Sequence, residues 1–113
     1  MLSPSRALMV GVPTQVGTGI NAIGTTQSTP FSILKSMAID GQLALQAVGG
    51  TFTVLNGNIE ASTDGQVTWA KFSTFDFVAA PVQVFTASAG VSYRINVSNV
   101  TQTVAPNINA LLS

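Results

Sequence analysis

The stretch Val91-Ser92-Tyr93-Arg94-Ile95-Asn96-Val97-Ser98 places an apolar side chain at every odd position and a polar one at every even position. Successive side chains of a strand point to opposite faces, so this spacing predicts a strand with one face on a core and one on solvent. A helix would scatter the same residues around its axis. The texture recurs on both sides of this stretch. Val82-Gln83-Val84-Phe85-Thr86 follows Pro81, and Val67-Thr68-Trp69-Ala70-Lys71-Phe72 follows the turn signal Asp64-Gly65. Gln42 to Val48 sets Leu43, Leu45 and Ala47 on one face, and Asp40-Gly41 between this run and Phe31 to Ile39 predicts a hairpin. Gly49-Gly50 turns the chain into Thr51 to Leu55, which continues after Asn56-Gly57 as Asn58 to Ser62. A last short strand is expected over Asn107 to Leu112.

About seven or eight short strands with turn signals between them, and no helical periodicity, predict an all-β domain over residues 31–113. The expected architecture is a single β-sandwich of jelly-roll or immunoglobulin-like type. Residues 1–30 have a different texture. No charge falls between Arg6 and Lys35, Pro13 and Pro30 bracket the stretch, and Gly11, Gly17, Gly19 and Gly24 punctuate it. Its branched residues Val12, Val16, Ile20 and Ile23 are spaced widely among polar ones, which predicts an extended N-terminal arm. That composition allows either a flexible tail or an arm ordered by a partner chain.

Composition narrows function further. Only 7% of the 113 residues are charged, against roughly 25% in ordinary soluble domains, and the four basic and four acidic residues cancel. Charge keeps monomers apart, so a surface this poor in it suits association, and a homo-oligomer is expected. Too few cations are present to line a nucleic-acid backbone, and no nucleic-acid partner is expected. The chain has no histidine and no cysteine, so no disulfide, thiolate nucleophile, Ser-His triad or usual zinc site can be written. No apolar run approaches the about 18 residues that span a bilayer, and no membrane partner is expected. The short apolar piece after Arg6 ends at Pro13 without a cleavage signal, which predicts assembly in the cytoplasm.

Each remaining candidate for chemistry has a structural competitor. Asp40, Glu60, Asp64 and Asp76 are the only carboxylates, and a hydrolase needs two of them facing one cleft. Asp40 and Asp64 stand in Asp-Gly turns, where the side chain caps the turn. No Asp-rich loop offers a calcium site. Lys35 and Ser36 are adjacent, so on a strand they point apart and form no dyad. Trp69 and Tyr93 are sugar-stacking platforms or core aromatics; Val67 beside the first and Val91, Ile95 and Val97 beside the second favour the core. Arg94 falls on the polar face of its strand, exposed or in an ion pair. Asn96-Val97-Ser98 and Asn99-Val100-Thr101 match the glycosylation triplet, which carries meaning only on a secretory route. No catalytic, cofactor-binding or metal-binding residue is expected, and no enzyme.

Ile59 to Phe72, containing Ser62-Thr63-Asp64-Gly65 and then Trp69, together with Val91 to Thr101, containing Tyr93-Arg94 and ending Val100-Thr101, resembles a pattern found in small tailed-phage virion proteins. There a strand ends in Ser-x-Asp-Gly, a Trp follows within a few residues, and an aromatic-Arg strand ends in a Val-Thr-like run. The resemblance covers roughly the second half of the chain. It implies a head-decoration (cement) protein, a head fibre or a tail-associated sandwich, with the major capsid protein or other virion proteins as partners. Similar sandwiches also serve as carbohydrate-binding modules, so a receptor- or glycan-binding tail or fibre module is the alternative.

Overall fold

The computed structural model describes residues 6–33 and 41–113, and nine strands occur among them. They are β1 (Arg6–Leu8), β2 (Thr14–Gly17), β3 (Phe31–Ile33), β4 (Gly41–Val48), β5 (Thr51–Ser62), β6 (Ala70–Asp76), β7 (Val82–Ala87), β8 (Ser92–Val104) and β9 (Asn107–Leu112). Asp40 and the Lys35-Ser36 pair lie outside the described residues. Two sheets form, a five-stranded one in the order β1-β3-β8-β5-β6 and a four-stranded one in the order β2-β9-β4-β7. The pairs β2·β9, β3·β8, β4·β7 and β5·β6 are all antiparallel. This is one long hairpin with its tip between β5 and β6, rolled so that alternate strand pairs fall in opposite sheets. Of the two sandwich types expected, the order is that of a jelly roll, with β1 added parallel to β3 at one edge.

The apolar alternation places the core between the sheets. Ile59, Tyr93, Ile95 and Val97 from the five-stranded sheet meet Leu43, Leu45, Ile108 and Leu112 from the other, all of them buried. Tyr93 is the hub, its ring centroid 6.0 Å from that of Phe31, 5.4 Å from Phe72 and 5.6 Å from Phe85. Its hydroxyl oxygen accepts the Ser88 N–H at 2.9 Å, so the polar end of this core aromatic is satisfied.

Two expectations are corrected here. The first is the arm. Residues 6–30 fold into the sandwich of their own chain: β1 and β2 join opposite sheets, and Leu8, Val16 and Ile20 are buried. The connecting segment is tied down by Gly24 N–H to Val97 O at 2.8 Å, Val97 N–H to Gly24 O at 2.9 Å and Ile95 N–H to the Ser28 hydroxyl at 2.9 Å. Fixing such a segment costs about 1–2 kcal/mol per residue, and here backbone ladders and core side chains of the same chain offset it. The second is the hairpin at Asp40-Gly41: residues 34–40 lie outside the described ones, and among the described strands β4 is paired on its two sides by β7 and β9, while β3 belongs to the other sheet.

At Asn56-Gly57 β5 runs on as one strand of twelve residues. The pairing with β8 shifts there by a bulge, and a Cβ on Gly57 would stand 2.1 Å from Asn96 O. Gly57 therefore marks a close approach of two backbones and no turn. Gly49-Gly50 does turn the chain, with φ of 67° and 72°, and carries it from the four-stranded sheet to the five-stranded one. The return crossing from β8 to β9 runs directly beside it, because a Cβ on Gly50 would meet Pro106 N at 2.6 Å.

Candidate functional site

The strands of the two sheets differ in charge. Glu60, Lys71, Asp76 and Arg94 stand on β5, β6 and β8, Asp64 lies in the loop between β5 and β6, and β1 carries Arg6. The strands of the four-stranded sheet contain no charged residue. The outer face of each sheet is a candidate surface.

On the charged sheet, the register sets Lys71, Glu60 and Arg94 side by side, followed by Thr74, Asn58 and Asn96 and then Asp76, Asn56 and Asn99. Arg94 Nε donates to Glu60 Oε1 at 2.7 Å, and Asn96 Nδ2 donates to Glu60 Oε2 at 3.3 Å. The Trp69 ring lies over the guanidinium, 4.3 Å from its carbon. Trp69 is therefore half-buried on the solvent side of the sheet and is no part of the core, contrary to the expectation from Val67. The spacing misleads because residues 63–69 form a loop, with Gln66 at φ 71°, and strand alternation does not hold across it. Val67 itself is 70% exposed.

That loop is organised by Asp64, as its turn position predicts. The Ser62 hydroxyl donates to its Oδ1 at 2.8 Å, the Thr68 N–H to the same oxygen at 2.9 Å, and the Thr68 hydroxyl to Oδ2. These donors, the Thr68 hydroxyl foremost, lower the Asp64 pKa from 3.8 to about 2. Asp76 caps the next turn, its Oδ1 accepting Val78 N–H at 3.0 Å and Ala79 N–H at 3.2 Å. Glu60, Asp64 and Asp76 are thus each committed to local structure. Among the described residues, no three His, Cys, Asp or Glu come together as a metal cluster would require. Farther along the same face a shallow cleft of about 430 Å³, of mixed polar and apolar lining, lies between Asn56, Asn58, Thr74, Phe75, Ala79 and Gln83. Its amides and hydroxyls suit a neutral, hydroxyl-rich ligand.

The outer face of the uncharged sheet is built differently. Leu111, Ala44 and Val84 are register partners across β9, β4 and β7 and make an apolar row. The neighbouring row runs Gln15, Asn109, Gln46 and Val82, and the row on the other side brings Gln42 beside Thr86. Val84 is 61% exposed, with Val82, Val12 and Leu111 also open to solvent. Pro13, Ala44, Gln46, Val82, Asn109 and Leu111 border a groove of about 380 Å³. An apolar stripe framed by amides, with no charge, can bury against a protein surface without desolvating any ion. Composition signals this surface only in aggregate; the rows emerge from pairing between segments far apart in sequence. Compared with known proteins, the chain matches no family model, no curated protein and no solved structure.

Proposed function

We propose that this chain is a non-catalytic virion component, a capsid decoration protein that binds as an oligomer over junctions between capsid subunits and stabilises the head. The observation that carries the proposal is the segregation of charge: the strands of the four-stranded sheet hold none, and the outer face of that sheet exposes Val82, Val84 and Leu111 among amides. Such a face suits permanent protein contact, where ions would have to be stripped of water. The likeness of Ile59 to Phe72 and Val91 to Thr101 to tailed-phage virion proteins supports the major capsid protein or other virion proteins as the class of partner. Jelly rolls serving in viral capsids and in lectins support both this reading and the next at the level of fold analogy. The test is imaging of intact particles that carry a tagged copy of the chain. Tag density at symmetric sites on the head is expected; density confined to the tail, or none, overturns the decoration reading.

A second reading, a receptor- or glycan-binding tail or fibre module, is favoured by the position of Trp69 on the solvent side and by the shallow cleft with its Asn56 and Asn58 amides on the same face. Glycan-array binding by the wild-type chain that Trp69→Ala abolishes would support it.

A further inference from the structure

We propose that the outer face of the five-stranded sheet binds a neutral oligosaccharide, with one sugar in the cleft beside Asn56 and Asn58 and a later one on Trp69. The inference deepens the glycan-binding reading, on which it rests, and gives that reading a site and a class of sugar. Asparagine is a poor strand former, because its amide competes with the backbone for hydrogen bonds. Yet Asn56 and Asn58 on β5 face Asn99 and Asn96 on β8, so four asparagines stand together on two inner strands of the sheet. Positions that break a local rule in this way mark functional surfaces. The backbone is shaped there too. Asn56 pairs with Asn99 but Gly57 with Val97, so Ser98 is an extra residue of β8. Such a bulge re-aims side chains, and here Ser98 borders the cleft while its neighbour Asn99 is also exposed.

The groups around the cleft select the ligand. Asn99 Nδ2 donates to Asn56 Oδ1 at 3.1 Å, which leaves the Asn56 amide hydrogens to donate outward. Among the described residues the Asn58 side chain has no hydrogen-bond partner. Gln83 Nε2 donates to Asp76 O at 3.1 Å and Ala80 O at 2.6 Å, which leaves its Oε1 to accept. A sugar hydroxyl both donates and accepts, so this mixed set of amides, with the Ser98 and Thr74 hydroxyls, satisfies it. Among the described residues no lysine or arginine borders the cleft, whereas the Asp76 carboxylate does, so an anionic ligand would meet repulsion and no cation. Ala79 and Ala80, both exposed, supply an apolar wall for the C–H face of a pyranose. An extended peptide fits less well, because β5 is paired on both sides and offers a ligand only side chains. The cleft is small for a ligand site, since such sites run to about 300–1,000 Å³, so a chain of sugars extends beyond it. From Asn56 to Glu60 the strand covers about 13 Å. Trp69, partly open to solvent and lying over Arg94 beside Glu60, ends that path with a ring on which a second sugar stacks.

The test uses the full-length chain on an array of neutral and sialylated glycans, followed by amide NMR titration with the neutral glycan bound best and with its terminal monosaccharide, each to about 10 mM, which reaches millimolar affinity. The glycan should shift the signals of Asn56, Asn58 and Ser98, and bind at least about 10-fold more tightly than the monosaccharide, because it joins two subsites. Asn58→Ala and Ser98→Ala should each weaken it at least about 10-fold, and Trp69→Ala should reduce it to the level of the monosaccharide. Val84→Thr, on the other sheet, should change nothing. Melting of each variant identifies any that misfolds, and Asn58 and Ser98 lie on different strands, so one folded variant suffices. Glycan binding that neither cleft variant weakens, binding of sialylated glycans alone, or a glycan no tighter than its monosaccharide overturns the inference and leaves the glycan-binding reading standing. Binding of no glycan overturns both. Tag position on imaged particles is independent of these outcomes.

Discussion

The guanidinium of Arg94 is held on two sides: Glu60 Oε1 lies 2.7 Å from its Nε, and the Trp69 ring lies over its carbon at 4.3 Å. Glu60 and Arg94 are direct partners across β5 and β8, whereas Trp69 reaches them from the end of the 63–69 loop. One cation thereby ties the tip of the rolled hairpin to the middle of the five-stranded sheet.

Trp69→Ala should accordingly give a soluble, folded protein. Losing one cation–π contact and the packing of a half-buried ring should cost about 1–2 kcal/mol, a drop in melting temperature of about 4–16 °C for a domain of this size. A core tryptophan would cost about 3–5 kcal/mol. Thermal unfolding separates the two, and a variant that cannot be obtained folded would restore Trp69 to the core.

Gly57→Ala should be far more damaging than a surface alanine has any right to be. Its Cβ would sit 2.1 Å from Asn96 O and 2.8 Å from Ser98 N, both backbone atoms, so β5 and β8 would have to separate at the centre of their sheet. A loss of about 3 kcal/mol or more is expected, read as a lower urea midpoint or as insoluble expression. A near-neutral effect would show that the bulge at Asn56-Gly57 relaxes freely.

Stability should be almost flat from pH 5 to 8, because the chain has no histidine or cysteine to titrate there. Below that range a loss is expected. The folded Asp64 pKa is about 2 against an ordinary 3.8, so its contribution is present above 3.8 and disappears as pH falls toward 2. Melting temperature followed from pH 8 to 2 should show that acid loss, and Asp64→Asn should remove the part due to the 63–69 loop. A wild-type curve with its main slope between pH 5 and 8 would contradict the assignment.

Removing residues 1–28 should unfold the protein. The deletion takes β1 and β2 from the edges of both sheets and withdraws Leu8, Val16 and Ile20 from the core. Each buried aliphatic lost costs about 2–5 kcal/mol, against a total stability of about 5–15 kcal/mol. Circular dichroism of the truncated chain should lack the strand signal. A folded truncation would show that residues 6–30 dock on a sandwich that is complete without them.

Particular residues explain which parts of this fold are legible in the sequence. Tyr93, Ile95 and Val97 are readable as core because β8 is long and buries one face along this stretch, so local period and burial coincide. Asp64 is readable because its turn role depends on neighbours within four residues. Leu8 and Val16 are not, since three- and four-residue strands are too short to show a period. Their pairing partners, Ile33 for Leu8 and the Ile108 to Ala110 segment opposite β2, lie elsewhere in the chain. The uncharged face escapes for the same reason: Leu111, Ala44 and Val84 become a row only once β9, β4 and β7 are aligned.

The pairing of β2 with β9 also sets a schedule for the chain during its synthesis. Among the described strands β2 has no partner but β9, so Thr14 to Gly17 are synthesised well before the strand Asn107–Leu112 that they pair with. Until Asn107 to Leu112 emerge, β4 lacks its neighbour on that side, and Leu43 and Leu45 have only part of their cover. Loop closure over such distances is slow, and unpaired edges invite aggregation while it is pending. Yield in a cell should therefore respond to temperature and to chaperone supply more than the stability of the finished fold would suggest.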